Sequence, residues 1–475
     1  SRFLSENILM RFPFVTLAFL PALALSQVPV LETPVAPPDF QFRIYSTVFP
    51  VSVERNGVVS RQVNVTSGGM NILGDAANEP SLAVDPLNRS RMAIGWRQFD
   101  SINSSFRQSG YGWSTDGGLN WNASTLNPGV FGSDPVLVSD RNGLFYYLGL
   151  GFDSASQFQF YLYRQNPTET TWSSPLTALG GDKQWLAADT TAGSGRGILH
   201  SVWSAYASSY GSPTFTRSLD HGASLEDPED VPGQPTFGTV AVDGIGRVFL
   251  GGIAPYGSGF VVARSSNAKY AAVTPTFDFV KPVSLNGNYI SGAPINPAGL
   301  GGQVWTCADS TSRRFKNNVY MLATVKQNGS TDPADVMFAR SEDGGLTWSA
   351  PVKVNRDNLG QVAYQWFGTL SVAPNGRLDC FWLDTKYDAT PATPTTSTLV
   401  YSSSIDAGRT WTKQTQISPA FKHGIGYPQQ QKMGDYMQSV SSNTGAGLAY
   451  AATFNGEEDI WYLFKSNRSA PPNLP

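Results

Sequence analysis

An all-β fold, a seven-bladed β-propeller of four-stranded antiparallel blades, is what the sequence predicts, on three observations. A short apolar strand, a turn with Asp or Gly, and a second apolar or aromatic strand recur seven times. A tight-turn pattern repeats four times between them, and no segment after the N-terminus keeps a helical apolar period for a dozen residues. Seven such units, each followed by a third strand, close into a ring without open edges; a six-bladed ring with one irregular unit is the alternative.

The first units of the series are Pro80-Ser-Leu-Ala-Val-Asp85, Pro135-Val-Leu-Val-Ser-Asp140 and Trp185-Leu-Ala-Ala-Asp189. Phe237 to Asp243, Val304 to Asp309, Phe367 to Ala373 and Tyr436 to Val440 follow. The last unit has only three strands before the chain runs out. Its missing outer strand is expected from Phe42 to Val48 or from Pro50 to Val53.

Composition excludes other classes. The chain has 475 residues, 33 Lys+Arg against 36 Asp+Glu, and a net charge of −3, so it lacks the basic stripe of a nucleic-acid binder. Charged residues are only 15% and aromatics reach 12%, with 47 Gly and 32 Pro, which fits neither disorder nor a coiled coil. From Met10 the chain reads Arg11, an apolar run Phe12 to Leu25, and small residues Ala24 and Ser26, the pattern of a secretory signal peptide. The run is too short for the ~20 apolar residues of a membrane-spanning helix. The expected organisation is upstream residues and signal over 1–26, a proline-rich leader over 27–39, one propeller domain over 40–466 and a tail over 467–475. The protein is expected to be secreted and monomeric, with no membrane span, no nucleic-acid partner and no cofactor.

Cys307 and Cys380 are too few for a disulfide framework and form no metal-binding spacing, so no metal is expected; one bridge and two buried thiols remain equally open. Sequons at Asn64, Asn88, Asn103, Asn122, Asn328 and Asn467 do not identify a host.

The tight-turn pattern reads Ser114-Thr-Asp116-Gly117-Gly118-Leu-Asn-Trp121, Ser218-Leu-Asp220-His-Gly222, Ser341-Glu-Asp343-Gly344-Gly345-Leu-Thr347-Trp348 and Ser404-Ile-Asp406-Ala-Gly408-Arg-Thr410-Trp411. Its chemistry is structural. The Asp accepts backbone N–H bonds across the turn, the Gly supplies a positive φ, and the Trp plugs the turn onto the sheet. The second and fourth units have Arg164 to Trp172 and Arg264 to Phe279 in that place instead.

In a propeller the first strand of each blade starts near the axis, so polar residues at those starts converge on one funnel. The candidate catalytic residues are therefore Glu79, Arg97, Asp134, Asp182 and Tyr436, and the candidate substrate-binding residues Lys183, Trp185, Trp366, His423 and Asp435. Carboxylates, cations and aromatic faces suit sugar recognition and acid/base work, and the expected partner is an extracellular glycan or polysaccharide. For any one of these residues, capping of backbone N–H groups around the channel is the competing role.

The pattern S-x-D-x-G-x-T-W is the Asp-box, or bacterial neuraminidase repeat, and the chain resembles the sialidase superfamily over nearly its whole mature length. That resemblance implies an arginine triad on the substrate carboxylate, a Tyr nucleophile polarised by Glu, and an Asp acid/base. Arg97 fits the second family arginine and Tyr436 the nucleophile position. The family's first arginine opens an Arg-Ile-Pro motif, where this chain reads Asn78-Glu79-Pro80-Ser81, and no Glu partner for the Tyr is evident. A carboxylate there would repel an anionic sugar by about 1 kcal/mol or more, so little sialoside hydrolysis is expected. A glycoside hydrolase is the leading expectation. A non-catalytic carbohydrate- or protein-binding propeller is the alternative, as is a polysaccharide lyase using His423 or a Tyr to take a uronate C5 proton.

Overall fold

The computed structural model describes residues 31–38, 44–46, 51–257, 259–311, 314–357, 362–390 and 393–467. The expected signal segment falls outside them. Seven antiparallel sheets follow one another around a ring, as the repeat count predicts. Blade 1 comprises Ala76–Val84, Met92–Phe99, Gln108–Ser114 and Asn122–Leu126. The innermost strands of blades 2 to 7 are Ser133–Ser139, Trp185–Ala188, Val240–Val242, Trp305–Ala308, Gln365–Val372 and Gln438–Ser442. Among the described residues the only helical turns are the 3-10 segments Ala205–Ala207 and Pro255–Gly257. No helix there is long and apolar enough to cross a membrane.

The ring closes with a different strand from the one expected. Blade 7 runs Gln438–Ser442, Gly445–Ala452 and Asp459–Ser466, then takes Val58–Gln62 from the N-terminal region, with Ser52–Arg55 outside it. Val58–Gln62 alternates buried and half-buried positions, as a strand packed on one face must, whereas Ser52–Arg55 is almost wholly exposed. Within the expected stretch 42–48, Ile44–Ser46 is described and pairs with Asn71–Leu73 in a separate ribbon.

All four tight turns join a blade's third strand to its fourth and share one bonding pattern. In the first, Ser114 Oγ donates to Asp116 Oδ1 at 2.8 Å and accepts from the Gly118 N–H at 2.9 Å, while the Leu119 and Asn120 N–H groups donate to Asp116 Oδ1. The turns at Asp220, Asp343 and Asp406 repeat this arrangement. Each turn also bolts its blade to the preceding one. A Cβ on Gly118 would lie 2.2 Å from the Tyr462 ring of blade 7, and one on Gly408 would lie 2.2 Å from the Phe338 ring of blade 5. Trp121 packs edge-on against Tyr462, and Trp411 against Phe338. Blade 4 carries a reduced version: Ser265 Oγ donates to Asn267 Oδ1 and accepts from the Ala268 N–H.

The inner strands end in a second set of turns on the opposite side from their entries. Asp85, Asp140, Asp189 and Asp243 each accept the N–H two residues on, at 2.8 to 3.1 Å, which is why Asp closes those units. Cys307 and Cys380 are free thiols, Cys380 buried and Cys307 half-buried.

Candidate functional site

The entry of every blade has a positive φ, and in five of the seven it falls on a residue with a Cβ. Glu79, Asp134, Lys183, Phe237 and Phe367 all have φ between 45° and 57°, and Gly302 and Gly434 are left-handed at the entries of blades 5 and 7. A left-handed conformation costs about 1–2 kcal/mol for a residue with a Cβ. In blades 1, 2 and 6 the strand register also shifts at this point, a bulge that turns the side chain toward the axis. The sequence places Glu-Pro, Asp-Pro and Asp-Lys at three of these entries. Strain concentrated at one level of the ring marks that level as the place to look for function.

Four carboxylates and four cations meet there, all buried. Lys183 Nζ lies 2.9 Å from Asp134, 2.6 Å from Asp435 and 3.7 Å from Asp182. Lys432 Nζ bridges Glu79 at 3.1 Å and Asp435 at 2.8 Å. Arg97 Nη2 lies 3.3 Å from Glu79, and its Nε donates to Asn78 at 2.8 Å. Arg107 donates to Ser133 Oγ and to the Ser105 carbonyl, with its guanidinium over the Phe131 ring. One oxygen each of Glu79, Asp134 and Asp435 lies within 4.8 Å of the others. Three carboxylates could hold a divalent cation, but here Lys183, Lys432 and Arg97 already supply the positive charge, so the group does not suit a metal.

The carboxyl groups differ in ionisation. Burial pushes Glu79 up to about 8 against the pull of Arg97, so it is largely protonated at neutral pH. Burial likewise raises Asp182 to about 6, against Lys183. Asp134 and Asp435 are equally buried, but Lys183, Arg97 and Lys432 overcome desolvation and hold both below the usual carboxylate range. The centre therefore holds one proton-bearing carboxyl beside two firmly ionised ones. Separation of this kind is what distinguishes an acid from a base or nucleophile in a carboxylate pair. The same protonation removes most of the repulsion expected from Glu79 toward an anionic sugar.

Beside the charges stands an aromatic row. Tyr206, in the 3-10 turn of blade 3, is 40% exposed and meets Phe237 edge-on at 5.7 Å; Phe237 stacks on Tyr289 at 5.8 Å. Burial raises both phenols, and the negative charges of Asp182 on Tyr206 and Asp435 on Tyr289 push the same way, which puts the row at the edge of the charged centre.

The expected site residues divide cleanly. Glu79, Arg97, Asp134, Asp182, Lys183 and Asp435 come together. Tyr436 adjoins them, but its hydroxyl donates to the Pro135 carbonyl at 2.7 Å, and burial with Glu79 and Asp134 nearby raises the phenol well above its ordinary value. Trp185 is buried between Tyr436 and Trp305 as core. Trp366 is buried in blade 6 with its Nε1 on Ser397. His423 hydrogen-bonds Ser397 at 3.0 Å, meets Trp366 edge-on, and is pushed down to about 4 by burial; no axial charge is among its contacts. Sequence reasoning missed Arg107, Lys432, the aromatic row and Glu32. Only Phe237, at a blade entry, carried a positional signal.

No family model matches the sequence, and no curated protein matches it significantly. Among solved structures, a protein of unknown function from Dyadobacter fermentans is 13% identical, with 86% of this chain and 99% of that one covered and a TM-score of 0.46. The endosialidase of phage phi92 is 9% identical, covers 88% and 71%, and has a TM-score of 0.47. The Hadza microbial sialidase Hz136 is 15% identical, covers 82% and 66%, and has a TM-score of 0.43.

Proposed function

We propose that this chain is a secreted, sialidase-like propeller that binds and hydrolyses an extracellular glycan at its axial centre. The observation that carries the reading is the group Glu79, Asp134 and Asp435, three carboxyl oxygens within 4.8 Å, one carboxyl protonated and two ionised. Glu79 acts as the acid that protonates the leaving oxygen while Asp134, steadied by Lys183, attacks the anomeric carbon to form a glycosyl-enzyme; the Glu79 carboxylate then takes a proton from the water that displaces Asp134, which releases the sugar and restores both groups. Carboxyl groups about 5–5.5 Å apart serve retention of configuration, whereas inversion needs about 6.5–9.5 Å; the close spacing favours retention. Tyr206, 40% exposed and backed by Phe237, offers an aromatic face for a sugar ring. Tyr436 is not the nucleophile in this scheme, because its proton is held by a backbone carbonyl. Sialoside hydrolysis is accordingly expected to be negligible.

The non-catalytic reading is favoured by one feature: every axial charge is buried and paired, as in an ion network that only steadies the ring. A panel of neutral and acidic polysaccharides, assayed for new reducing ends and for unsaturated uronate absorbance, separates the readings. Reducing-end release that falls at least 100-fold in Glu79→Gln supports hydrolysis. No release and no binding across the panel, by the intact chain and by a variant lacking residues 31–38, contradicts it, and an absorbance gain would indicate a lyase.

A further inference from the structure

Residues 31–38 reach the axial centre through one side chain, Glu32. Of residues 31–38, Glu32 alone is buried, while Leu31, Thr33 and Pro34 on either side are exposed. The segment joins no sheet, so no strand ladder holds it. What holds it is the Glu32 side chain, 2% exposed, which lies 3.2 Å from Arg97 Nη1 and forms a second ion pair with Arg107. The Glu32 N–H also donates to Asp182 Oδ2 at 3.3 Å. The two arginines come from the second strand of blade 1 and the residue before its third, and both are buried. A concavity of about 610 Å³ lies elsewhere, lined by Arg217, Glu226 and Val273, and no axial residue lines it.

We propose that Glu32 is a tethered ligand: the proline-rich segment keeps the axial site shut by placing its carboxylate on Arg97 and Arg107, and the site opens to a carboxylate-bearing sugar when that segment is displaced or cut. The inference rests on the glycan-site reading above and assigns its regulation.

Three physical points support it. A paired guanidinium cradle selects a carboxylate, because charge-assisted N–H bonds to an anion are shorter and stronger than neutral ones. Charge balance points the same way. Arg97, Arg107, Lys183 and Lys432 face Asp134, Asp182 and Asp435 together with Glu79 and Glu458, both of which burial pushes up, and Glu32 adds a further negative charge beside the two arginines. Removing it leaves buried guanidinium charge uncompensated, which an incoming carboxylate would restore. Finally, a contact made by one side chain on an unpaired extended segment is reversible, unlike a strand built into the ring. A tethered group competes at the high effective concentration of its short linker, so a free sugar acid binds weakly until the tether is cut.

The test uses the full chain with a specific protease site inserted between residues 38 and 44. After cleavage, size-exclusion chromatography and mass spectrometry read whether the N-terminal fragment stays with the propeller. Once cut, the fragment is expected to dissociate on dilution, faster in sodium glucuronate than in glucose at matched ionic strength, and at least tenfold more readily in Glu32→Gln. Near-ultraviolet circular dichroism of Glu32→Gln checks that the ring is intact, and Glu32→Asp is expected to behave between the two. Retention that is the same in Glu32→Gln, or insensitive to glucuronate, overturns the proposal. Glycan hydrolysis by the cut protein is a separate readout. Displacement by glucuronate without hydrolysis keeps the tethered ligand and removes the hydrolase, while hydrolysis by the uncut chain at the same rate as the cut one does the reverse.

Discussion

The aspartates of the four rim turns and the carboxylates of the axis are the same chemical group under opposite constraints. At the rim, Asp116, Asp220 and Asp343 are exposed and Asp406 half-buried, and hydrogen bonds from residues three and four positions on outweigh a small desolvation and hold them below the usual range. Their partners are local in sequence. At the axis, Glu79, Asp134, Asp182 and Asp435 are buried, Lys183 and Lys432 link carboxylates of different blades, and two are pushed up while two are pulled down. Rim carboxylates are uniform because each turn solves its own bonding locally. Axial carboxylates are differentiated because four blades share one set of cations, and only that arrangement produces a proton donor beside an anion.

The sharpest way to break this contrast is to remove a shared cation. Lys183→Met leaves Asp134 and Asp435 buried without their nearest partner, and the expected loss is about 3–5 kcal/mol in urea unfolding, the usual cost of stranding a buried charge. A loss below ~1 kcal/mol would mean that water reaches the centre and that the charges are not coupled as described. At the rim the corresponding change is steric. Gly118→Ala drives a Cβ into the Tyr462 ring at φ +84°, and about 2–4 kcal/mol is expected from overpacking and left-handed strain together. The same loss from Gly117→Ala, whose Cβ would meet nothing within 4 Å, would show that the strain alone acts and that the bolt between blades does not.

A smaller effect separates the regions by pH. Glu79 is raised from 4.5 to about 8 in the folded chain, so between those values the unfolded chain has released a proton that the folded chain retains. Stability from this group is full below about 4.5 and lost as pH rises toward 8. The melting temperature of the native protein is therefore expected to fall relative to Glu79→Gln as pH goes from 5 to 8. Parallel curves for the two proteins would place Glu79 at its ordinary value.

The same contrast explains what the sequence reveals. The rim turns, the seven inner strands and the closing Asp turns are built from contacts a few residues apart, so Ser114 to Trp121 or Pro80 to Asp85 can be recognised from the letters alone. Blade entry also identifies Glu79, Asp134, Lys183 and Asp435 as facing the axis, because their place in the repeat fixes their place in the ring. Arg107, Lys432 and Glu32 have no place in the repeat. They reach the centre from a strand start, a connecting loop and the leader, and only the assembled ring brings them to Glu79 and Arg97. Trp366 and His423 fail for the complementary reason. Their positions suggest the funnel, but alternation along the strand and the Ser397 contact turn them into blade 6. Val58–Gln62 closes the ring in place of the expected stretches because its alternating burial matches the outer face of blade 7, and Tyr450 donates to Ser60 there.

The protonation of Glu79 at neutral pH is the claim on which the proposed acid depends. Infrared difference spectra of the native protein against Glu79→Gln, taken from pH 4 to 10 with ¹³C-labelled glutamate, observe it directly. A protonated-carboxyl band that persists at pH 7, disappears near pH 8 and is absent from Glu79→Gln is the predicted result. A band already lost by pH 5 would contradict the account.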